Sequence, residues 1–274
     1  MTIAKTIHEP DRGLTAMLNA VEAISREAGA IAMNYFDDTA PLAIQSKGHL
    51  DLVTDADRDV ERFIVDRLAA YFPDDGIVGE EGAAAPSRSG RTWVIDPIDG
   101  TFNFVRGSDQ WSVSIGLFDG TRPSFGVVNL PAQGKLIAGG DGIPARLNGR
   151  ALSRLVPMDP SRAAVYLGLG PLSTDSTGAD LVDFVSREAG MVFRYCGCGS
   201  VSLMSVALGQ VDGYISLGES SWDVVAALAI LAQLGGESTI DWQAEGLAGK
   251  FAMACGTPEF LSIASKFRSM RLSR

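Results

Sequence analysis

The chain has 274 residues, 46% hydrophobic and 20% charged, which suits a water-soluble protein of one large α/β domain or two closely packed ones. A formal net charge of −10 with no Lys/Arg cluster disfavours nucleic acid, and no apolar run approaches the roughly 20 residues of a membrane span. Two histidines (His8, His49) leave almost no material for Ser-His-Asp or His-rich metal chemistry, and three cysteines without a C-x-x-C pair suit reduced thiols in a cytoplasmic setting.

The N-terminus lacks an apolar stretch after a basic start, so no secretory signal is expected. Apolar residues from Leu14 to Met33 recur near helical period, predicting an amphipathic helix over 11–37. Thr54 or Asp55 can cap a second helix running to about Tyr71. Ile77-Val78 reads as a short strand entering Gly79-Glu80-Glu81, followed by a segment of loop composition, 82–91. Strands are predicted at 93–95, 112–118, 124–128 and 136–138, the middle two joined as a hairpin by "DGTRP". Residues 142–150 read as a glycine-punctuated loop, and the pattern loosens at 152–160, where a domain boundary is placed. Strands at 164–167, 192–195, 213–216 and 251–254 then alternate with helices at 180–189, 201–208 and 223–234. This gives an expected α+β domain over 1–155 and an α/β domain over 156–274, the second packed against a more antiparallel first half.

The acids are the chemical lead. Glu80, Asp96 and Asp99 each follow a short apolar strand, and Asp223 opens a helix. Strand ends converge at one edge of a sheet in α/β folds, where ligands bind. Four carboxylates brought together there could not all ionise without a cation, and hard oxygen ligands lacking His or Cys suit Mg²⁺. Blander readings exist for each residue. Asp-Pro and Asp-Gly are ordinary turn dipeptides, Asp223 alone suits a helix N-terminus, and Glu80-Glu81 alone suits a solvated loop. The acids of "TDADRDVERFIVD" mimic an EF-hand, but Val60 stands where the loop needs Gly and Asp66 where it needs Glu.

Taken together, "DLVTDAD" (51–57), "GEE" (79–81), "DPIDGTFNF" (96–104) and "WDVVAA" (222–227) closely resemble the inositol monophosphatase family of Mg²⁺-dependent, lithium-sensitive phosphomonoesterases. The resemblance runs from the first helix to Gly235-Gly236 and implies a layered αβαβα sandwich, α/β (α+β) in class. It implies that Glu80, Asp96 and the Ile98 carbonyl hold one metal, and that Asp96, Asp99 and Asp223 hold a second. Glu80 would help with a third through water, so about two to three Mg²⁺ serve each site. Gly100 and Thr101 match the phosphate seat, and Thr101 with Asp57 matches the pair that orients and deprotonates the attacking water. A small phosphorylated metabolite and a homodimer are the implied partners.

The second half departs from the family pattern. Gly197 and Gly199 in "GCGSVSL" fall on positions lining the sugar-side pocket, but Ser216 replaces the family's acid that contacts substrate hydroxyls. Glu219 lies three residues on and reads as a solvated loop glutamate, with partial substitution for that acid as the alternative. Losing such an acid weakens polyol recognition. An inositol monophosphate-like substrate is therefore expected, with histidinol phosphate as runner-up. A regulatory protein-binding member with secondary phosphatase activity is the alternative from another class.

Overall fold

The structure is a computed structural model describing residues 12–38, 45–48, 51–170 and 177–272. His8 and His49 lie outside them. Helix α1 (Arg12–Asp37) buries Leu18, Val21, Ile24, Ala28 and Ala32, one stripe at steps of three and four. A two-stranded ribbon, β1 (Gln45–Gly48) and β2 (Asp51–Val53), leads into α2 (Asp55–Tyr71). Thr54 caps α2 and shares a capping box with Asp57.

The chain then lays down β3 (Gly76–Gly79), β4 (Ala84–Ala85), β5 (Thr92–Asp99), one turn of helix α3 (Thr101–Phe104), β6 (Ser112–Phe118), β7 (Pro123–Leu130), β8 (Lys135–Gly140), β9 (Ile143–Leu147) and β10 (Arg150–Ala151). These strands form one sheet in the order β10-β9-β8-β7-β6-β5-β3-β4, antiparallel except for β3 beside β5. The loop expected at 142–150 is therefore mostly strand. Ile143 and Ala145 are buried, and Ile143, Arg146 and Leu147 pair β9 with β8, while Asn148 (φ 48°) and Gly149 make the turn into β10. Likewise β4 is a short edge strand inside the expected 82–91 loop.

The second sheet follows: β11 (Ala164–Gly168), α4 (Thr177–Asp183) extended by a π-helical turn at Phe184–Glu188, β12 (Val192–Arg194), α5 (Gly199–Ala207), β13 (Gly213–Ser220), α6 (Ser221–Gln233), β14 (Glu237–Ser238), α7 (Trp242–Glu245), β15 (Lys250–Gly256) and α8 (Pro258–Leu272). Its order is β12-β11-β13-β15-β14, with β11 parallel to both neighbours across helical crossovers. Helix α8 has no counterpart among the predicted elements. It buries Phe260, Ala264 and Phe267 against the outer face of this sheet.

The layers stack as an αβαβα sandwich. Helices α1 and α2 cover one face of the first sheet, and α5 and α6 lie between the sheets. Helix α4 and α8 cover the far side. Helix α6 is apolar all round because both its faces are buried. Val224, Ile230 and Leu231 are at most 1% exposed, each contributing about 1.5–3 kcal/mol over exposure. Its seat on the first sheet is a pair of facing glycines, Gly116 on β6 and Gly126 on β7. A Cβ on Gly126 would lie 2.6 Å from both Ala226 Cα and Ala226 C, so backbone meets backbone there. Among the described residues no helix is long and apolar enough to cross a membrane.

Candidate active site

Strand β5 carries the centre of the site, and its register explains why two acids three residues apart act together. In a regular strand Asp96 and Asp99 would face opposite sides. Here Asp96 pairs with Ser114 and Asp99 with Ser112, so three steps on β5 oppose two on β6. That bulge contains Pro97, which cannot donate to the ladder, and it brings both carboxylates to one face. The carbonyl of Ile98, within the bulge, lies 3.1 Å from Thr101 Oγ1 as its acceptor.

Asp223 arrives from the other half of the chain. It is the third residue of α6, and its Oδ2 accepts the Ser220 amide at 2.6 Å in a capping box. The glycine seat under Ala226 sets α6 down one turn beyond Asp223, which holds this acid over the end of β5. Carboxylate oxygens of Asp96, Asp99 and Asp223 all lie within 4.8 Å of one another. Glu80 follows β3, its amide bonded to the Ile95 carbonyl of β5 at 3.2 Å, and its carboxyl approaches Asp96. The turn bearing it is fastened by Glu61 of α2, which accepts the amides of Glu81 at 2.9 Å and Ala83 at 3.0 Å. The solvated-loop alternative for Glu80-Glu81 is thereby excluded, since both are half-buried and the turn is pinned.

Asp99 is gripped by α5. The Ser200 amide donates to Asp99 Oδ2 at 2.7 Å, the Ser200 hydroxyl binds the same oxygen, and the Cys198 thiol donates to the Asp99 carbonyl. Ser200 Oγ lies 2.6 Å from Ser112 Oγ, tying the bulge's partner strand to the same helix end. Sequence reasoning missed Ser200 and Ser112; the available signal was a Gly-Ser pair opening a helix, whose first amides attract an anion. Asp57 Oδ1 lies 3.3 Å from Thr101 Oγ1, while Asp57 Oδ2 accepts the Thr54 hydroxyl and amide. Gly100 has φ +89°, and a Cβ there would press on the Gln110 carbonyl at 2.9 Å.

The electrostatics show what the cluster lacks. Burial, then the charges of Glu80, Asp99 and Asp223, hold the Asp96 carboxyl well above the usual carboxylate range. Burial, then Glu219, Asp99 and Glu80, do the same to Asp223. Asp99 is raised by burial against the lowering pull of its Ser200 bonds, and burial also raises Asp57. Asp96 Oδ1 is buried with no hydrogen-bond partner. Clustered carboxylates with an orphaned oxygen form a site able to hold a metal ion, and an all-oxygen donor set fits a hard cation.

A cavity of about 730 Å³ opens beside these acids. Asp99 and Asp223 stand at one end; Gly168, Tyr195, Tyr214 and Glu219 line the rest, with Gly197 and Gly199 in its wall. Ser216 is not in the lining. It is 1% exposed, and its hydroxyl contacts Glu219 Oε1 at 2.7 Å and the Gly168 carbonyl at 3.2 Å. Glu219 is not the solvated loop glutamate that sequence reasoning favoured. Strand β13 runs to Ser220, past the predicted end at 216, and carries Glu219 inward at 7% exposure. Two hydroxyl donors, Tyr214 and Ser216, meet its carboxylate and make that burial tolerable.

Comparison with known proteins shows the family of the chain. The sequence profile of the inositol monophosphatase family matches residues 14–259. A fructose-1,6-bisphosphatase/inositol-1-monophosphatase of Aquifex aeolicus is 32% identical over 257 residues, covering 93% of this chain and 97% of that protein. A histidinol-phosphatase of Chlorobaculum parvum is 33% identical over 223 residues, covering 81% of this chain and 85% of that protein. Among solved structures, the extragenic suppressor protein suhB of Bartonella henselae superposes with a TM-score of 0.83 at 23% identity, covering 92% and 98% of the two chains, and so shares the fold. With the profile spanning nearly the whole chain, this protein belongs to the inositol monophosphatase family.

Proposed function

We propose that the protein is a Mg²⁺-dependent phosphomonoesterase acting on a small alcohol phosphate. The observation that carries this reading is the trio Asp96, Asp99 and Asp223, with an unpartnered buried oxygen on Asp96, at the end of a substrate-sized cavity. Glu80, Asp96, the Ile98 carbonyl, Asp99 and Asp223 would hold the cations. Bound there, Mg²⁺ supplies charge neutralisation for the phosphoryl oxygens and acidifies water.

The chain's own residues do the rest. Gly100, lacking a Cβ, lets backbone approach the phosphate at the start of α3. Thr101 Oγ1 bridges toward Asp57 Oδ1, so a water proton reaches Asp57 as the threonine passes on its own. Burial raises the Asp57 carboxyl and makes it a stronger base than an exposed aspartate. Burial raises the pKa values of the thiols Cys196 and Cys198, which disfavours a thiolate nucleophile and favours direct attack by water over a covalent enzyme intermediate. Residues 1–155 and 156–274 act as two lobes sharing one site, and the family resemblance adds a cytoplasmic homodimer.

Inositol monophosphate is the substrate the family suggests. A histidinol phosphate-like monoester is the second reading, favoured by the buried acid Glu219 in the cavity wall. A regulatory protein-binding role is the competing class, and the complete acid set favours catalysis. The test is phosphate release from a panel of monoesters. Turnover should require Mg²⁺, fall with Li⁺ and vanish in Asp99→Asn with the fold intact. Turnover without Mg²⁺, or an active Asp99→Asn protein, refutes the mechanism.

A further inference from the structure

Helix α2 carries two buried carboxylates on one face, Asp57 and Glu61, one helical turn apart. Asp57 reaches Thr101. Glu61, 6% exposed, reaches the turn after β3 instead. Its Oε2 accepts the Glu81 amide at 2.9 Å and its Oε1 the Ala83 amide at 3.0 Å. A buried carboxylate is costly unless hydrogen-bonded, and here each oxygen meets a backbone donor. The same turn is closed by the Gly79 amide on the Ala83 carbonyl at 2.8 Å, and Glu80 is tied by its own amide to β5. Gly79, the last residue of β3, has no positive φ, so its backbone would suit any residue. What it lacks is room for a side chain. A Cβ there would press on Glu61 Oε2 and lie 2.8 Å from Glu61 Cδ. The glycine of "GEE" is therefore a socket for the Glu61 carboxylate.

We propose that Glu61 is a positioning residue for the metal site: by gripping the turn around Glu80 it sets the affinity of the cation that Glu80 shares with Asp96, and Gly79 is the socket that lets it do so. The proposal rests on the phosphomonoesterase reading and deepens it. The site has two separate mounts. Asp96, Asp99 and Asp223 are brought together by β5 and α6, whereas Glu80 approaches Asp96 from the turn that α2 holds. Loosening that second mount leaves the trio in place and moves Glu80 alone. Removing a group that orients a metal ligand lowers metal affinity or activity by about 10–100-fold. Because Asp57 and Glu61 share one helix, α2 also holds the water-activating acid and the Glu80 turn in a fixed relation.

The test reads metal binding apart from turnover. Mn²⁺, standing in for Mg²⁺, is titrated into wild type, Glu80→Gln, Glu61→Ala and Glu61→Gln, with free Mn²⁺ followed by electron paramagnetic resonance. The ion weakened in Glu80→Gln marks the Glu80 position. Its dissociation constant should rise about 10–100-fold in Glu61→Ala, and by less in Glu61→Gln, which keeps one acceptor oxygen. Half-saturating Mg²⁺ for p-nitrophenyl phosphate hydrolysis should rise in step, with kcat restored at saturating Mg²⁺. Gly79→Ala should weaken the same ion, and the double variant Gly79→Ala/Glu61→Ala should be no weaker than either single one, because both remove one contact. Unchanged Mn²⁺ affinity in the Glu61 variants overturns the proposal, and Glu61→Gln alone decides it if Glu61→Ala fails to fold. A lowered Tm with unchanged Mn²⁺ affinity overturns it too, by leaving Glu61 a structural role only, as does an equal loss at every bound ion. Additive losses in the double variant overturn the socket. A wild type that binds Mn²⁺ yet fails to hydrolyse p-nitrophenyl phosphate in Mg²⁺ sinks the phosphomonoesterase reading, while the Mn²⁺ comparison still decides the role of Glu61.

Discussion

Replacing Gly126 with alanine tests whether the glycine seat positions Asp223. The new Cβ would start 2.6 Å from Ala226 Cα and C, with Gly116 equally close-packed on the same helix across the hairpin. Carbon pairs rest at about 3.5–4.0 Å, so α6 must lift by about 1 Å, because neither partner is a flexible side-chain end. Overpacking of this kind costs about 1–3 kcal/mol. For a protein of this size that lowers Tm by on the order of 2–10 °C. The same lift moves Asp223, three residues before Ala226, away from Asp96 and Asp99. A 1 Å misplacement can lower kcat about 100-fold, and the Mg²⁺ concentration for half-maximal activity should rise with it. Thermal melts and Mg²⁺ titrations of turnover read both effects. Gly249→Ala is the control, since its nearest neighbour would be 3.6 Å away. A Gly126→Ala protein with wild-type Tm and Mg²⁺ dependence refutes the reasoning.

Ser200→Ala should destabilise the fold by about 1.5–3 kcal/mol, the loss of a buried hydrogen bond to a carboxylate, and raise the Mg²⁺ requirement; urea melts and activity titrations check both. The raised carboxyls of Asp96, Asp99 and Asp223 set the sign of a pH effect. Their folded pKa values exceed the unfolded ones, so their contribution is fullest below the unfolded carboxylate pKa and is lost as pH rises through the elevated range. In chelator, Tm should therefore fall with rising pH more steeply for wild type than for Asp96→Asn, and Mg²⁺ should raise wild-type Tm most at the alkaline end. Burial pushes the Cys255 thiol up to about 12, so at pH 8 roughly one part in 10⁴ is thiolate, and iodoacetamide should label Cys255 only after unfolding, as mass spectrometry would show.

Much of the site was legible because its residues obey local rules. Asp96 and Asp99 follow an apolar strand, and Pro97 between them marks the bulge that puts both on one face. Thr54 with Asp57, and Ser220 with Asp223, are capping pairs three residues apart that fix two helix starts. What stayed hidden depends on distant partners. Nothing near Glu219 in sequence shows that β13 continues to Ser220, because the extension is paid for by pairing with β15 at Phe251 and Lys250. Strand β9 was hidden because its glycine-rich flanks mimic a loop, while its pairing partner β8 lies across a turn. Helix α8 escaped notice although Phe260, Ala264 and Phe267 repeat at helical steps.

The bonds between Asp99 and Ser200 join residues 101 positions apart, and the Ser112–Ser200 contact spans 88. Contacts that distant in sequence must meet a large loop-closure entropy before they contribute anything. The acid trio consequently requires α6 to be docked on the first sheet beside β5. A chain emerging from synthesis carries Asp96 and Asp99 long before Asp223 exists to join them. Metal affinity during refolding would thus report the docking of the middle helical layer on the first sheet, rather than the formation of that sheet alone.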